Sequence, residues 1–173
     1  RGNGAWLRAL PEIQKIAKSP LLLGRSLSTK NIRDRIYKDL QEYSFNVKSS
    51  NLQFDCCYED LSRIKEFITK NHCDSIIAAG GGKVLDAGKY LADSLSIPVI
   101  TVPLSASTCA GCTALSNIYT TYGQYKKDVE LKSCPNILVL EHSFIKTAPK
   151  RTLASGIADA LAKWYESSLT SSK

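Results

Sequence analysis

The sequence predicts an α/β protein: an open parallel sheet flanked by helices, with a β-hairpin late in the chain, and then the first helix of a separate all-helical domain. Three observations carry this expectation. Short apolar runs alternate with amphipathic helical stretches, the pattern of strands joined by helical crossovers. One of those runs ends in Gly80-Gly81-Gly82 and passes straight into a helix. After Pro149 the apolar spacing becomes purely helical.

Taken in order, Asn3 to Ala17 places Trp6, Leu7, Leu10, Ile13 and Ile16 near helical spacing, with Pro11 interrupting it. Pro20-Leu21-Leu22-Leu23-Gly24 is a short apolar run closed by glycine and reads as a buried strand. Ser28 or Thr29 caps a helix with apolar positions at Ile32, Ile36 and Leu40. Phe45 to Phe54 reads as an extended stretch and loop. Tyr58 to Asn71 is an amphipathic helix with Leu61, Ile64, Phe67 and Ile68 on one face. Asp74 to Ala79 is a buried strand, and Lys83 to Leu95 a helix with Val84, Leu85, Gly88, Leu91, Ala92 and Leu95 turned inward. Ile97 to Pro103 and Ile137 to Leu140 are two more strands. Ala114 to Thr121 and Gln124 to Val129 pair as a hairpin through Tyr122-Gly123. Pro149 marks a boundary, so we expect an α/β domain over 1–147 and the start of a truncated helical domain over 148–173. Its helix sets Leu153, Ile157, Leu161, Trp164 and Leu169 on a face with no evident partner within the chain.

Composition narrows the class. The chain has 173 residues, 43% apolar and 23% charged, with a net charge of +7. That balance suits a soluble globular domain. No apolar run approaches the roughly 20 residues that span a bilayer, and no secretory leader is evident. A cytoplasmic setting without membrane association is therefore expected. The basic residues are scattered, Lys126-Lys127 being the nearest to a cluster, which argues against a nucleic-acid partner. Cys56, Cys57, Cys73, Cys109, Cys112 and Cys134 are expected as free thiols in a reducing compartment.

Two stretches carry chemistry. A glycine turn after a buried strand lets backbone approach a ligand closely. The helix behind it offers unpaired N–H groups and the positive end of its dipole, both suited to a pyrophosphate. The turn is neither a GxGxxG, since Leu85 occupies the last position, nor a Walker A loop, since Ile77 and Val84 stand at two of its required positions. A ligand-free tight turn is the structural alternative. The second stretch, Val102 to Tyr119, leaves the carboxyl end of a strand on the same rim and is rich in small hydroxyl side chains. It contains Cys109-Ala110-Gly111-Cys112, which also fits a thiol–disulfide exchange motif, although a hairpin rather than a long helix is expected after it.

Gly80-Gly81-Gly82-Lys83-Val84-Leu85-Asp86, Val102-Pro103-Leu104-Ser105-Ala106-Ser107-Thr108, Ala114 to Tyr119 and Ala148 to Trp164 resemble, in order and spacing, the iron-containing (group III) alcohol dehydrogenases, within them the glycerol dehydrogenase branch. The resemblance spans about residues 20 to 166. It implies an NAD(P)-dependent oxidation of alcohols or polyols, or reduction of the matching carbonyl compounds. It also implies a Rossmann-like N-terminal domain, a helical C-terminal domain, and a divalent metal, zinc or iron, between them. A full-length homo-oligomer is implied as well. Gly81, Gly82, Lys83 and Asp86 correspond to the pyrophosphate and nicotinamide side, and Leu104, Ser107, Thr113, Leu115 and Tyr119 to other cofactor positions. Asp159 corresponds to the Asp of a metal site completed by two histidines.

The chain departs from that pattern in four places. Its only histidines, His72 and His142, do not match the two metal ligands, which are expected beyond the chain. A catalytic zinc takes about three protein ligands, so the chain alone is expected to be inactive. It would then serve as the NAD(P)-binding portion, or alternatively as a non-catalytic nucleotide-binding or oligomerisation module. Cys109 stands where the branch places a substrate-contacting Asp, and a thiol is a poor acceptor for polyol hydroxyls, which disfavours glycerol. Leu104 replaces a usual Thr. Arg25 follows the first strand near a position often acidic in the family. There it would suit the 2′-phosphate of NADP, or it is simply a surface arginine.

Overall fold

The computed structural model describes residues 1–170. Its centre is a five-stranded, wholly parallel sheet in the order β2-β1-β3-β4-β7. The strands are β1 (Pro20–Gly24), β2 (Lys48–Asn51), β3 (Ser75–Gly80), β4 (Val99–Pro103) and β7 (Ile137–Leu138). All residues of β1, β3 and β4 are buried, as expected of parallel strands covered on both faces. Side chains alternate across the sheet: Leu22 joins one core with Trp6, Leu10, Ile36, Leu40 and Phe144. Leu21 and Leu23 join the other, with Leu61, Ile64, Leu85 and Ile118.

The first core lies under α1 (Ala5–Ile16), α2 (Lys30–Glu42) and the short α5 (His142–Ile145). The second lies under α3 (Tyr58–Lys70), α4 (Gly82–Leu95) and the antiparallel hairpin β5 (Leu115–Tyr119)–β6 (Tyr125–Glu130). α1 runs on through Pro11, whose missing N–H costs the helix one hydrogen bond on the exposed face opposite Trp6, Leu10 and Ile13. Glu141 anchors this end of the chain: its buried carboxylate accepts from the backbone N–H of Trp6 at 3.1 Å and from both the N–H and the hydroxyl of Ser143. Those donors hold its pKa down at about 2, against the pull of burial.

Several expected boundaries move. The strand expected from Ile97 begins at Val99, and the one expected to reach Leu140 is regular only over Ile137–Leu138, although the Val139 N–H still donates to the Thr101 carbonyl at 2.9 Å. Within Phe45 to Phe54, Lys48–Asn51 forms the edge strand β2. The final helix, α6 (Lys150–Thr170), buries none of its residues, and Leu153, Ile157, Leu161, Trp164 and Leu169 are all more than half exposed. It comes close to the body at Gly156, where a Cβ would lie 1.8 Å from the Ala106 carbonyl oxygen. The last three residues of the expected 148–173 unit lie outside the described residues.

Candidate functional site

The sheet order places a topological switch point between β1 and β3, the two strands from which the chain winds outward in opposite directions. In open α/β sheets the crevice beyond the carboxyl ends of such strands is where ligands bind. Gly80 ends β3, Gly81 is the N-cap of α4 and Gly82 its first residue. A Cβ on Gly80 would lie 2.7 Å from the Val84 Cβ, and one on Gly82 would lie 3.1 Å from the Thr108 Cγ2. The turn therefore needs glycine for its own closure as well as for access. A cleft of about 290 Å³ opens at Gly81, walled by Ser28 and Thr29 after β1, Leu104 and Ser105 after β4, and Arg151 of α6.

Lys83 turns away from this cleft. Its ammonium pairs with the buried Asp55 carboxylate and lies 4.4 Å from the centre of the Tyr119 ring. Arg25 reaches the same neighbourhood, donating to the Phe54 carbonyl at 2.5 Å and lying 3.9 Å from Asp55. Asp55 thus gathers both cations, a role invisible in the sequence because the residue sits in a loop with no motif around it.

Asp86 is buried and faces the hairpin side of α4, pairing with Lys89 at 2.9 Å. Burial pushes its carboxyl up from the ordinary value, with the Lys89 charge opposing. Lys89, itself almost wholly buried, also donates to the Thr113 carbonyl, the Thr113 hydroxyl and the Leu115 carbonyl. The Ser116 hydroxyl donates to the Asp86 carbonyl at 3.0 Å. Asp86, Thr113 and Leu115 are therefore brought together as the joint between α4 and β5. Gly88 permits the packing beneath that joint: a Cβ there would lie 2.5 Å from that of Ala78. Leu104 is buried at the end of β4, and Ser107 shares a 3.1 Å hydrogen bond with Ser105.

A second cleft, of about 410 Å³, lies between the loop after β4 and α6, and it brings Cys109 and Asp159 onto one surface with Thr108, Cys112 and Lys163. Asp159 is exposed and pairs with Lys163 at 3.3 Å. Among the described residues no three His, Cys, Asp or Glu side chains converge as a metal site, so Asp159 supplies one carboxylate and no companions. His72 lies just past α3 with a positive φ of 52°, and His142 begins α5. Cys109 and Cys112 are exposed free thiols in a tight turn closed by a 3.0 Å backbone hydrogen bond. A strand follows that turn, so neither thiol has the helix N-terminus that activates a thioredoxin-type cysteine. Cys56, Cys57 and Cys73 are buried, and burial raises all three thiols, that of Cys56 to about 12.

The parallel sheet, its two helical layers and the glycine turn at the switch point define a Rossmann-like α/β domain. A family comparison makes the class specific. The profile of the iron-containing alcohol dehydrogenases matches residues 1–142, and the chain belongs to that family. It is 35% identical over 170 residues to an oxidoreductase of Synechocystis, covering 98% of this chain and 44% of that protein. It is 33% identical over 163 residues to the glycerol dehydrogenase of Escherichia coli O6:H1, covering 94% of this chain and 43% of the enzyme. The structure superposes on a probable glycerol dehydrogenase from Sinorhizobium meliloti 1021 with a TM-score of 0.84 and 25% identity, over 95% of this chain and 44% of that one. The chain thus spans less than half the length of the relatives it matches. Among the described residues, no helix is long and apolar enough to cross a membrane.

Proposed function

We propose that the chain is the NAD(P)-binding portion of a metal-dependent alcohol or polyol dehydrogenase, which transfers hydride between a nicotinamide cofactor and an alcohol or carbonyl substrate. The glycine turn at the switch point, opening on the cleft at Gly81, carries this reading. The N–H groups at the start of α4 precede any helical acceptor and suit a pyrophosphate. Gly81 and Gly82 admit the phosphates. Leu104 lines this cleft, Ser107 is hydrogen-bonded to its neighbour Ser105, Tyr119 lies with Lys83 away from it, and Asp86 with Thr113 and Leu115 holds α4 and the hairpin in register. The nicotinamide, when bound, would accept or donate the hydride. Cys109 faces the cleft shared with Asp159, where the substrate would lie, and a thiol there disfavours glycerol relative to less polar alcohols. Asp159 is one candidate metal ligand, and a working zinc or iron site needs partners beyond it. Residues 148–173 are read as the start of the helical half, whose packing would cover the apolar face of α6.

Titration of the full chain with NADH and NADPH, followed by nicotinamide fluorescence, tests this reading. Saturable binding of either cofactor is expected, and Gly82→Val should weaken it by about 100-fold or more by filling the cradle. Absence of binding by both cofactors overturns the reading. Turnover of an alcohol by the 173-residue chain with added zinc would overturn the assignment of an incomplete metal site.

A further inference from the structure

The turn between β1 and α2 separates two clefts. Ser28 and Thr29 face the Gly81 cleft, whereas Leu27 and Lys30 face another, of about 400 Å³, between α2 and the edge strand β2. Arg33 lies in the wall of this second cleft. It is 92% buried by the fraction of its surface lost, with 8% exposed, yet has no ion-pair partner among the described residues. Its Nη1 donates to the Ser26 carbonyl at 2.9 Å and to the Thr29 hydroxyl, and its shaft runs beneath Gly24, where a Cβ would lie 2.2 Å from Nε. Glycine at position 24 is therefore what lets an arginine occupy this place. Desolvation lowers the Arg33 pKa, with the charge of Asp34 opposing.

The other groups in the cleft are Arg25 and Lys30, the carboxylate of Asp34, and the hydroxyls of Ser49 and Ser50 on β2. Asp34 is taken by Lys30 at 2.5 Å, and Arg25 by the Phe54 carbonyl. Arg33 is the one of these three cations without a carboxylate partner among the described residues, and Ser49 and Ser50 line the same cleft. A planar guanidinium beside small hydroxyls suits a phosphate dianion.

We propose that this cleft receives the 2′-phosphate of NADP(H), with Arg33 as the specificity-determining residue and Ser49 and Ser50 as its neighbours. The inference rests on the dinucleotide reading above. A cofactor whose pyrophosphate sits at Gly81 reaches the second cleft by laying its adenosine ribose across the Ser26–Lys30 turn. Arg25, the arginine nearest the end of β1, holds the loop through Phe54 and Asp55 instead.

The test compares adenosine 2′,5′-bisphosphate with adenosine 5′-monophosphate, and NADPH with NADH, by calorimetry on the full chain. The 2′-phosphorylated ligand of each pair should bind about 10-fold or more tighter, the worth of a charge-assisted contact. Inorganic phosphate should compete more strongly with NADPH than with NADH, since the pyrophosphate site at Gly81 is common to both. Arg33→Met should bring both ratios near one, through a larger loss of affinity for the 2′-phosphorylated ligand of each pair than for its partner. Because Arg33 is buried, Ser49→Asp provides a second variant on an exposed edge position, and its new carboxylate should reverse the preference. Equal or tighter binding of NADH and the monophosphate by the unmutated chain overturns the proposal while leaving the dinucleotide reading intact. A 2′-phosphate preference unchanged in Ser49→Asp overturns the location. Failure of all four ligands to bind overturns the dinucleotide reading and this proposal together.

Discussion

Two helices of this protein carry the same chemical pair in different surroundings. On α4, Asp86 and Lys89 meet at 2.9 Å with side chains 7% and 1% exposed. On α6, Asp159 and Lys163 meet at 3.3 Å with side chains 39% and 49% exposed. The first pair is enclosed by the hairpin, and Lys89 is saturated by three further oxygens from Thr113 and Leu115. The second faces water and an open cleft. A buried pair commits both partners to structure, because either charge alone would be costly in the interior. An exposed pair contributes little and leaves its carboxylate free to change partner. The difference separates the two carboxylates by role: Asp86 joins α4 to the hairpin, and Asp159 stays exposed to an open cleft.

The contrast is broken most directly at Asp86. Asp86→Ala strands the Lys89 charge among neutral acceptors and should cost about 3–5 kcal/mol in urea unfolding. Combining Asp86→Leu with Lys89→Met should recover much of that loss. A loss below about 1 kcal/mol for the single variant would place the pair in water and erase the distinction.

A smaller effect is expected at Glu141, a third carboxylate that is buried but held by N–H and hydroxyl donors rather than by a cation. Its folded pKa, about 2, lies below its ordinary value of 4.5. Its contribution to stability is therefore complete above the unfolded value and is lost as pH falls from 4.5 through about 2. Glu141→Gln should flatten the acid limb of a stability–pH curve in that window. An unchanged limb would show that Glu141 is not held by those donors.

The smallest effect is expected at Asp159. Asp159→Asn should change unfolding stability by no more than about 0.5 kcal/mol. A large loss would show that α6 is held to the sheet by more than the Gly156 approach.

Much of the frame was legible in the sequence, and the exceptions have identifiable causes. The apolar runs that became β1, β3 and β4 announced strands buried on both faces. Lys48–Asn51 gave no such signal, because β2 is an edge strand and pairs through its backbone with β1 alone. Lys89 and Arg33 look like solvent-facing residues of amphipathic helices, yet both are buried, one by the hairpin and one beneath Gly24. The glycine turn and the hydroxyl-rich loop stand out by pattern, and Asp159 only through the family resemblance. Asp55 stands out by neither, since its importance lies in drawing Lys83 and Arg25 together from two other loops.

By itself, then, the sequence determined the alternation of strand and helix, the glycine turn and the amphipathic faces, all of which follow from local residue spacing and backbone freedom. Tertiary structure alone decided which strands are neighbours, which ion pairs leave water and which cations remain without a counter-charge. Those outcomes depend on elements far apart in the chain meeting at one edge of the sheet, and the energy of a charge is set by what surrounds it rather than by its neighbours in sequence.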